Sequence, residues 1–310
     1  MNILITSSSA KVLLVKEFNE YADREGIKVF TADISKNIAT AFFSDKHFVL
    51  PRTSDKDAFL EQLRLICRSN NISLIIPTRD GELQLMADHK EQFAALGTKI
   101  LVPSPESTRI CLNKREFANF LVKYGYSPIP ETDVMDFPLF VRPVTGSAGI
   151  GTCRVLNENQ LNDIMSGGDF LVHPFIDADE YSLDLLMDFD GNALQVVCRK
   201  RIHVVSGESK VSRVISMPVL EQWAMEIGEL LGLVGHNVLQ AFHSDETGPL
   251  IIEANARFGG ASNLSIAAGL DSVRRIIGMH IGDPVALANR QIEIGLTMYR
   301  YSKDIFAHEA

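Results

Sequence analysis

The sequence predicts an α/β domain with a parallel sheet at the N-terminus, followed by an α+β region. In residues 1–104, apolar strand-like runs alternate with amphipathic helical segments, a pattern typical of a parallel sheet with helices on both faces. From residue 137 onward, strands follow one another through short turns, which indicates antiparallel hairpins. The length of 310 residues suits roughly two domains.

Composition narrows the class of protein. Hydrophobic residues make up 46% and charged residues 22%, which is typical of a globular protein with a sizeable core. The formal net charge of −9 argues against non-specific nucleic-acid binding, because that requires a basic surface. We find no apolar run of membrane-spanning length and no signal peptide, so we expect a cytoplasmic protein without a membrane partner. The cysteines are widely spaced, which favours reduced core thiols: Cys67, Cys111, Cys153 and Cys198.

The N-terminal domain is predicted from its alternating segments. Predicted strands begin at residues 2, 27, 47, 72 and 99, and predicted helices cover 11–25, 55–69 and 83–96. Gly26 follows the first helix as a C-terminal cap would. The pattern is Rossmann-like, but the loop after the first strand lacks GxGxxG, so we discount a dinucleotide site.

Two polar loops follow strands of this sheet, where ligands bind in such folds. They are the serines at 7–9 and the TRDGE segment at 78–82. Arg79, Asp80 and Glu82 are candidates for contacting a small polar substrate. The alternative is a helix start, with Asp80 and Glu82 as first-turn acids, and the sequence leaves both interpretations open.

A glycine-rich hairpin is predicted at the start of the second region. A helix at 114–124 follows a domain boundary near residue 112, and strands at 137–143 and 151–156 flank the turn GSAGIG at 146–151. The turn has no GK[ST], so it is not a Walker A loop. Its small residues would let backbone N–H groups approach phosphates, although an ordinary tight turn would look the same.

The remaining elements alternate between hairpins and helices. The segment 206–216 is polar and is predicted to be a mobile loop, and Asp190-Gly191 marks a hairpin turn. The helix at 218–233 should bury Leu220, Trp223, Ala224, Ile227, Leu230 and Leu231. The other predicted elements are a helix at 158–165, strands at 170–176, 181–188, 193–202, 237–244, 249–257 and 294–302, and a helix within 259–283.

A basic run, Arg199 to Arg201, lies on one of these strands. Because side chains alternate along a strand, Arg199 and Arg201 share a face and Lys200 points the other way. That face is a candidate for binding phosphates. The alternative is a solvated edge strand carrying protective charges.

Polar side chains also alternate along the strand that ends near residue 257. Glu253, Asn255 and Arg257 share one face, and the hairpin turn at 245–248 brings Gln240 opposite Glu253. Carboxylate and amide oxygens suit a hard divalent cation, and an arginine beyond them suits phosphate. The alternative is an edge strand with a solvated polar face.

These pieces, in this order, resemble the ATP-grasp superfamily, and most of all the synthetase domains of the carbamoyl phosphate synthetase large subunit and stand-alone ligases of that type. The motifs are IIPTRDGEL, LNKREFANFLVKYGYSPIPET, FVRPVTGSAGIG, LVHPFIDADEYSLD, a basic strand with SGES, VLQAF and IIEANARFGGASN. The resemblance implies that ATP lies between two α+β lobes, beneath the glycine-rich hairpin. It implies three units, at 1–112, 113–190 and 191–310.

The resemblance also implies roles for individual residues. Arg257 and Arg142 would be catalytic, and Gln240, Glu253 and Asn255 would bind Mg²⁺ or Mn²⁺. Ala148 stands where the family usually has glycine, and His173 where an acidic or amide residue is more common. In the resemblance, residues 173–175 match the hinge that holds adenine through its backbone, and Glu180 matches the acid that binds ribose hydroxyls. The residues expected to contact ATP are Lys114, Arg142, Gly146, Ser147, Ala148, Gly149, Gly151, His173, Pro174, Phe175, Glu180 and Arg201.

The implied function is an ATP-dependent ligase. A small-molecule carboxylate would attack ATP to give an acylphosphate, which an amine would then attack. A kinase-like enzyme that phosphorylates a carboxylate or carbamate and a nucleotide-binding regulator without turnover remain alternatives. A homodimer is expected at the family level. Candidate substrate contacts lie at 7–9, 78–82, 206–210 and 258–263.

Overall fold

A computed structural model describes residues 1–147 and 149–308 of the chain. Its first unit is a parallel sheet with strand order β3-β2-β1-β4-β5, which confirms the predicted α/β start. The strands are β1 (Asn2–Thr6), β2 (Lys28–Asp33), β3 (Lys46–Val49), β4 (Ile72–Pro77) and β5 (Lys99–Ile100). Helices α1 (Val12–Arg24), α2 (Lys56–Ser69) and α3 (Asp80–Ala94) connect them.

Two helices lead from the first sheet to the second. Helix α4 (Pro105–Leu112) was not predicted, and α5 (Lys114–Lys123) follows it directly. The second sheet has the antiparallel order β7-β6-β8, with β6 (Leu139–Pro143), β7 (Cys153–Val155) and β8 (Phe170–Pro174). Helix α6 (Glu158–Met165) lies between β7 and β8 in the chain. The predicted glycine-rich hairpin therefore joins β6 and β7, and the predicted site residue Ala148 lies outside the described residues.

The third sheet is antiparallel and has the order β13-β12-β9-β10-β11-β14. Its strands are β9 (Asp179–Met187), β10 (Ala193–Val205), β11 (Glu208–Ile215), β12 (Gly235–Ser244), β13 (Gly248–Asn255) and β14 (Thr297–Tyr299). Helix α7 (Pro218–Leu230) precedes β12. Because β9 belongs to this sheet, the sheet begins upstream of the predicted limit at residue 190.

The structure corrects three predictions in this region. The segment predicted as a mobile loop forms β11, which pairs with β10 and β14 and buries Ser209 and Ser212. The basic run lies on β10, an interior strand, so the interpretation as a solvated edge is wrong. Leu230 of α7 is exposed, because the helix turns its buried face through Leu220, Ala224 and Ile227.

The helical segment after β13 is broken rather than continuous. It comprises α8 (Ser262–Ser265), a π-helical turn at Ile266–Leu270 and α9 (Ser272–Ile281). Gly269 has φ 111° inside the turn, and Asp271 is left-handed at the start of α9. A left-handed residue cannot continue a right-handed helix, so the single predicted helix becomes two.

Two hydrophobic cores each join the first sheet to the third. One core packs Leu4 and Leu83 with Leu183 and Leu239, and the other packs Ile5 with Leu186. Leu101 of the second core packs against Gly235. A Cβ on Gly235 would lie 2.6 Å from the Leu101 side chain, so only glycine allows this contact. The parallel sheet is thus packed firmly against the antiparallel one. Within the described part of the chain, no helix is long and apolar enough to span a membrane.

Candidate active site

A cleft between the second and third sheets holds most of the predicted site residues. It contains an inner cavity of about 230 Å³, lined by Lys114, Arg142, Glu180 and Phe242 among others. It continues into a middle cavity of about 250 Å³, which includes Asp80, Arg199 and Arg257. Five residues line both cavities and are called the junction here: Ser147, Arg201, Gly207, Gln240 and Glu253.

An outer cavity of about 490 Å³ extends the cleft further. It shares Ala10, Lys11, Glu208, Gly259, Gly260 and Arg300 with the middle cavity. Among the described residues, the outer and inner cavities have no lining residue in common. The three cavities therefore follow one another in a line, with the junction at the inner end of the middle cavity.

The predicted carboxylate and amides meet at the junction. Gln240 on β12 lies opposite Glu253 on β13, as predicted from the position of the hairpin turn. The amide nitrogens of Gln240 and Asn255 each donate to Glu253 Oε1 at 3.0 Å. The register shifts directly after this pair, so Ile252 forms a bulge. Strand β13 is an edge strand, but these polar side chains are half-buried and bonded to one another rather than freely solvated.

This donor set fits a hard divalent cation. It offers one carboxylate and two amide oxygens, and a half-turn of each amide would bring its oxygen toward an ion beside Glu253. Among the described residues, no group of three or more His, Cys, Asp and Glu side chains could hold a metal. A cation here would therefore need further oxygens from a bound ligand.

Arg257 is held by an acid from the first sheet. Its Nε and Nη2 donate to the two carboxylate oxygens of Asp80, at 2.6 and 2.5 Å. Its Nη2 also lies 3.1 Å from Asn255 Oδ1. Burial alone would raise the pKa of Asp80, but the hydrogen bonds and charge of Arg257 outweigh it and lower that pKa. Asp80 and Arg257 thus form a charged pair on one wall of the middle cavity.

Glu82 behaves differently from Asp80. Its Oε1 accepts from the amides of Thr78 and Arg79, and Ser7 donates to its Oε2 at 2.8 Å. These bonds form the start of α3, so the helix-start interpretation holds for Glu82. Burial raises the pKa of Glu82 to about 7.

Arg142 is fixed from two sides in the inner cavity. Its Nε donates to His173 Nε2 at 2.9 Å, and its Nη1 donates to the carbonyl of the bulged Ile252 at 3.0 Å. His173 in turn donates from Nδ1 to the Pro130 carbonyl at 2.7 Å. Burial and the charge of Arg142 lower the pKa of His173 to about 4, so the imidazole is neutral and accepts from the guanidinium.

The base of the glycine-rich hairpin is tied to α5. Lys114 donates from Nζ to the Gly146 carbonyl at 2.7 Å, and burial lowers the pKa of Lys114. Gly146, Ser147 and Gly149 line the inner cavity. Gly151 does not; it has φ 76°, and a Cβ there would lie 2.9 Å from Pro143 Cγ. Gly151 therefore shapes the hairpin rather than the cavity wall.

Glu180 and Arg201 form an ion pair at the edge of the inner cavity. Arg201 also donates to Gln240 Oε1 at 3.2 Å and to the Gly207 carbonyl at 2.7 Å. The predicted sugar-binding acid, the predicted phosphate-binding arginine and the predicted metal-binding amide are thus contiguous.

The structure does not bring His173, Pro174 and Phe175 to the lining of the inner cavity. His173 turns its ring toward Arg142, and Pro174 and Phe175 are exposed. The Phe175 amide, which the adenine prediction requires, donates to the Pro138 carbonyl at 3.2 Å. In this conformation the Phe175 amide is therefore not available to bind adenine, because it is already bonded to the carbonyl directly before β6.

The sequence did not single out Lys11 or Arg300, which line the middle and outer cavities. Lys11 donates from Nζ to the carbonyls of Phe258 and Gly259, and burial lowers its pKa to about 8. The position of Lys11 two residues after the serines at 7–9 was an available signal. Arg300 stands on the predicted last strand, but its pairing with Glu208 spans 92 positions and leaves no local signal.

A buried polar network beneath the middle cavity was also missed. Asp184 forms an ion pair with Arg199 and accepts from Ser265 at 2.7 Å and Ser262 at 2.6 Å. His236 Nε2 lies 3.0 Å from the same carboxylate. These contacts lower the pKa of Asp184 despite its complete burial, so the carboxylate stays charged.

Comparisons with known families agree with this arrangement. Residues 3–101 match the family model described as PylC-like, N-terminal domain. Residues 167–301 match the model described as ATP-grasp in the biosynthetic pathway with Ter operon.

Solved structures of similar fold cover nearly the whole chain. Pyruvate carboxylase from Rhizobium etli aligns with TM-score 0.75 and 16% identity over 96% of this chain, which spans 30% of that chain. An L-amino acid ligase from Bacillus licheniformis aligns with TM-score 0.70 and 18% identity, over 96% of this chain and 78% of the other. The biotin carboxylase domain of Hydrogenobacter thermophilus 2-oxoglutarate carboxylase, solved as a dimer with MgADP, ADP and bicarbonate, aligns with TM-score 0.74 and 14% identity over 96% and 73%. At these identities the likeness establishes the fold.

Proposed function

We propose that this chain, a member of the ATP-grasp superfamily, is an ATP-dependent ligase that activates a small-molecule carboxylate as an acylphosphate for attack by an amine. One observation supports this most directly. The inner and middle cavities meet at Gln240 and Glu253, so two ligands can approach each other beside one carboxylate. Phosphoryl transfer depends mainly on such positioning and on charge neutralisation.

ATP fits the inner cavity by its chemistry. Ile129, Phe140 and Phe242 offer apolar walls for a base, and Glu180 offers an acceptor for ribose hydroxyls. Lys114 and Arg142 supply positive charge for the phosphates, and Arg201 adds a further cation at the junction. Gln240, Glu253 and Asn255 would hold the Mg²⁺ that accompanies ATP, which supplies charge neutralisation.

The reaction proceeds in two displacements. A carboxylate oxygen of the acid in the middle cavity attacks the γ-phosphorus, and the bond from that phosphorus to the β-γ bridging oxygen breaks to release ADP. The amine then attacks the acyl carbon, phosphate leaves, and the amine loses a proton. Arg257 lies beyond the metal ligands, where it would neutralise the transferring phosphoryl group. Among the described residues we assign no protein nucleophile, because this route requires none.

The hairpin of β6 and β7 reaches the junction through Ser147 and the inner cavity through Gly149. Its closure would exclude water and so protect the acylphosphate from hydrolysis. The predicted limits at 112 and 190 would make the hairpin part of a separate central unit. We retain those limits, and a homodimer, as proposals.

A product assay tests the proposed ligase. The chain would be incubated with MgATP, a panel of carboxylic acids and hydroxylamine as a general amine nucleophile, and ADP, phosphate and hydroxamate would be measured. Hydroxylamine also converts a free acylphosphate to a hydroxamate, so the reaction is repeated with amino acids as acceptors in place of hydroxylamine. A ligase then releases ADP and phosphate with an amide in equal amounts. Release of ADP with a stable phosphorylated acid would instead identify a kinase, and no ADP release with any acid would favour a regulator.

Glu253→Ala tests the proposed metal site. We expect loss of Mg²⁺-dependent turnover by about 100-fold or more, because the carboxylate is the only charged member of the proposed donor set. The matched control is Glu246→Ala, which changes an exposed glutamate in the turn of the same hairpin. Turnover by Glu253→Ala at the level of this control would refute the metal assignment.

A further inference from the structure

Arg199 lines the middle cavity and has a buried donor without a hydrogen-bond partner among the described residues. Only 2% of the residue is exposed, and its Nε donates to Asp184 and to Ser265. Its Nη1 is buried and has no hydrogen-bond partner among the described residues. A buried charged donor left unpaired is costly, so such a group calls for a partner. Arg199 lines the middle cavity but not the inner one, so a ligand that contacts its side chain would lie in the middle cavity rather than beside ATP.

The sheet register places Arg199 in one transverse row with the junction. Glu253 on β13 lies opposite Gln240 on β12, Gln240 opposite Ser182 on β9, and Ser182 opposite Arg199 on β10. Residues directly opposite one another share a face of the sheet. All four line the middle cavity. Glu253 and Arg199 are therefore three strand spacings apart, about 14 Å between backbones.

Charge in this cavity favours an anionic ligand. Beyond the junction its charged lining consists of Lys11, Arg79, Arg199, Arg257 and Arg300 against Asp80 and Glu208. Asp80 pairs with Arg257, and Glu208 pairs with Arg300. Asp184, which pairs with Arg199, lies behind it and is fully buried. Beyond these three pairs, Lys11 and Arg79 give the lining of the middle cavity a net positive charge.

We propose that the acid substrate of this chain carries a second carboxylate, which Arg199 and the hydroxyl of Ser182 bind at the far end of the row. The carboxylate to be activated would then lie at the junction, beside Glu253 and Arg257. Two fixed ends would orient the acid, because the site distinguishes its carboxylates by their position in the row. This inference rests on the proposed ligase function and specifies the class of its substrate as small dicarboxylic acids.

Matched acids test the second carboxylate. Succinate against succinamate, and L-glutamate against L-glutamine, differ only in replacing one carboxylate by an amide. Their affinities would be measured calorimetrically in the presence of MgADP. We expect at least one dicarboxylate to bind about tenfold or more tightly than its amide, because a hydrogen bond to a charged partner is lost. Equal binding within both pairs, or no binding by any of the four, would overturn the inference.

Variants separate substrate binding from a structural role of Arg199. Arg199→Lys keeps a positive charge but removes the guanidinium fork, and we expect it to lower the dicarboxylate preference by about tenfold. Ser182→Ala removes only a hydroxyl and should lower it by about threefold. The control is Ser265→Ala, which loosens the same buried network but does not line the cavity. If Ser265→Ala lowered the preference for dicarboxylates as much as Arg199→Lys does, the role of Arg199 would be structural only.

The assay also distinguishes failure of this inference from failure of the ligase proposal. Dicarboxylate binding that depends on Arg199 but yields neither ADP nor hydroxamate would support the subsite and contradict the ligase. ADP and hydroxamate formed from monocarboxylates as efficiently as from dicarboxylates would support the ligase and contradict the subsite.

Discussion

At the residue scale, Arg142 shows how an inner-cavity cation is positioned. Its Nε is bound to a neutral histidine and its Nη1 to a carbonyl freed by a bulge. The sequence allowed the pairing of Gln240 with Glu253 to be predicted, because a short hairpin fixes the register. It did not reveal the partners of Arg142 or the pair of Arg257 with Asp80, which are 177 positions apart. Contacts at such separations depend on how the sheets pack, which no local pattern encodes.

Arg142→Ala should weaken ATP binding. Loss of a charged donor to phosphate is expected to raise the Kd for MgATP by about tenfold or more. Calorimetric titration with a non-hydrolysable ATP analogue would measure it. Arg115→Ala is the matched control, because Arg115 pairs with Asp169 and does not line the inner cavity. Unchanged affinity in Arg142→Ala would place the nucleotide elsewhere.

His173 should make the stability of the fold depend on pH. Its pKa falls from 6.5 to about 4 in the folded chain, through burial and the charge of Arg142. Between these pH values His173 is protonated in the unfolded chain but not in the folded chain. The stability of the fold therefore declines as pH falls from about 6.5 to about 4. When the pH falls from 7 to 4, the free energy of unfolding should decrease by up to about 3 kcal/mol less in His173→Gln than in the unsubstituted chain. Urea unfolding at several pH values would measure this difference. If the free energy of unfolding of the two chains showed the same dependence on pH, the conclusion that His173 is neutral in the folded chain would be wrong.

At the element scale, the sequence missed one strand and one helix for opposite reasons. Strand β11 was missed because its buried face carries Ser209 and Ser212 beside Val214, and serines in a polar segment look like a loop. Its pairing with β10 and β14 comes from the sheet, not from its own composition. Helix α4 was missed although its signal was present, since Ser104 caps it and Pro105 opens it.

The hairpin of β6 and β7 should be sensitive to Gly151→Ala. The left-handed φ and the approach to Pro143 both oppose a Cβ, at a cost of about 1–2 kcal/mol in the observed conformation. We expect a higher KM for ATP, because the hairpin would shift to relieve the contact. Steady-state kinetics and thermal unfolding would measure the two effects.

Gly125→Ala is the control for this variant. It has φ 83° with open space around it, at the end of α5. It should lower stability by a similar conformational penalty without changing the KM for ATP. A normal KM in Gly151→Ala would show that the hairpin does not need its observed shape to bind nucleotide.

At the scale of the whole molecule, the sequence predicted the succession of a parallel sheet and antiparallel sheets correctly. The alternation of strands and helices encodes the first part, and the turn signals encode the second. No local pattern in the sequence indicates that the first and third sheets pack against each other. The pair of Asp80 and Arg257 and the shared cores cross that interface. The middle cavity therefore takes one wall from the N-terminal unit.

Asp80→Asn should couple stability to activity. The change leaves Arg257 without its charge partner in a largely buried place, which should cost about 2 kcal/mol of the free energy of unfolding. It should also lower kcat, since Arg257 would lose the bidentate contact that orients it. Denaturant unfolding and ADP release would be compared with Asp88→Asn, an exposed change on the same helix. A stability loss with full kcat would show that Arg257 needs no orientation by Asp80.

The contact between Gly235 and Leu101 bears on how such a chain can be recombined. Leu101 follows the last strand of the first sheet, and Gly235 begins a strand of the third. Exchanging the N-terminal unit for that of a relative would bring a foreign side chain against Gly235 and a foreign residue opposite Arg257. A functional chimera therefore has to import both contact positions with the unit, or the hybrid interface will not close. The N-terminal unit is consequently one part of a single packed body rather than an interchangeable module.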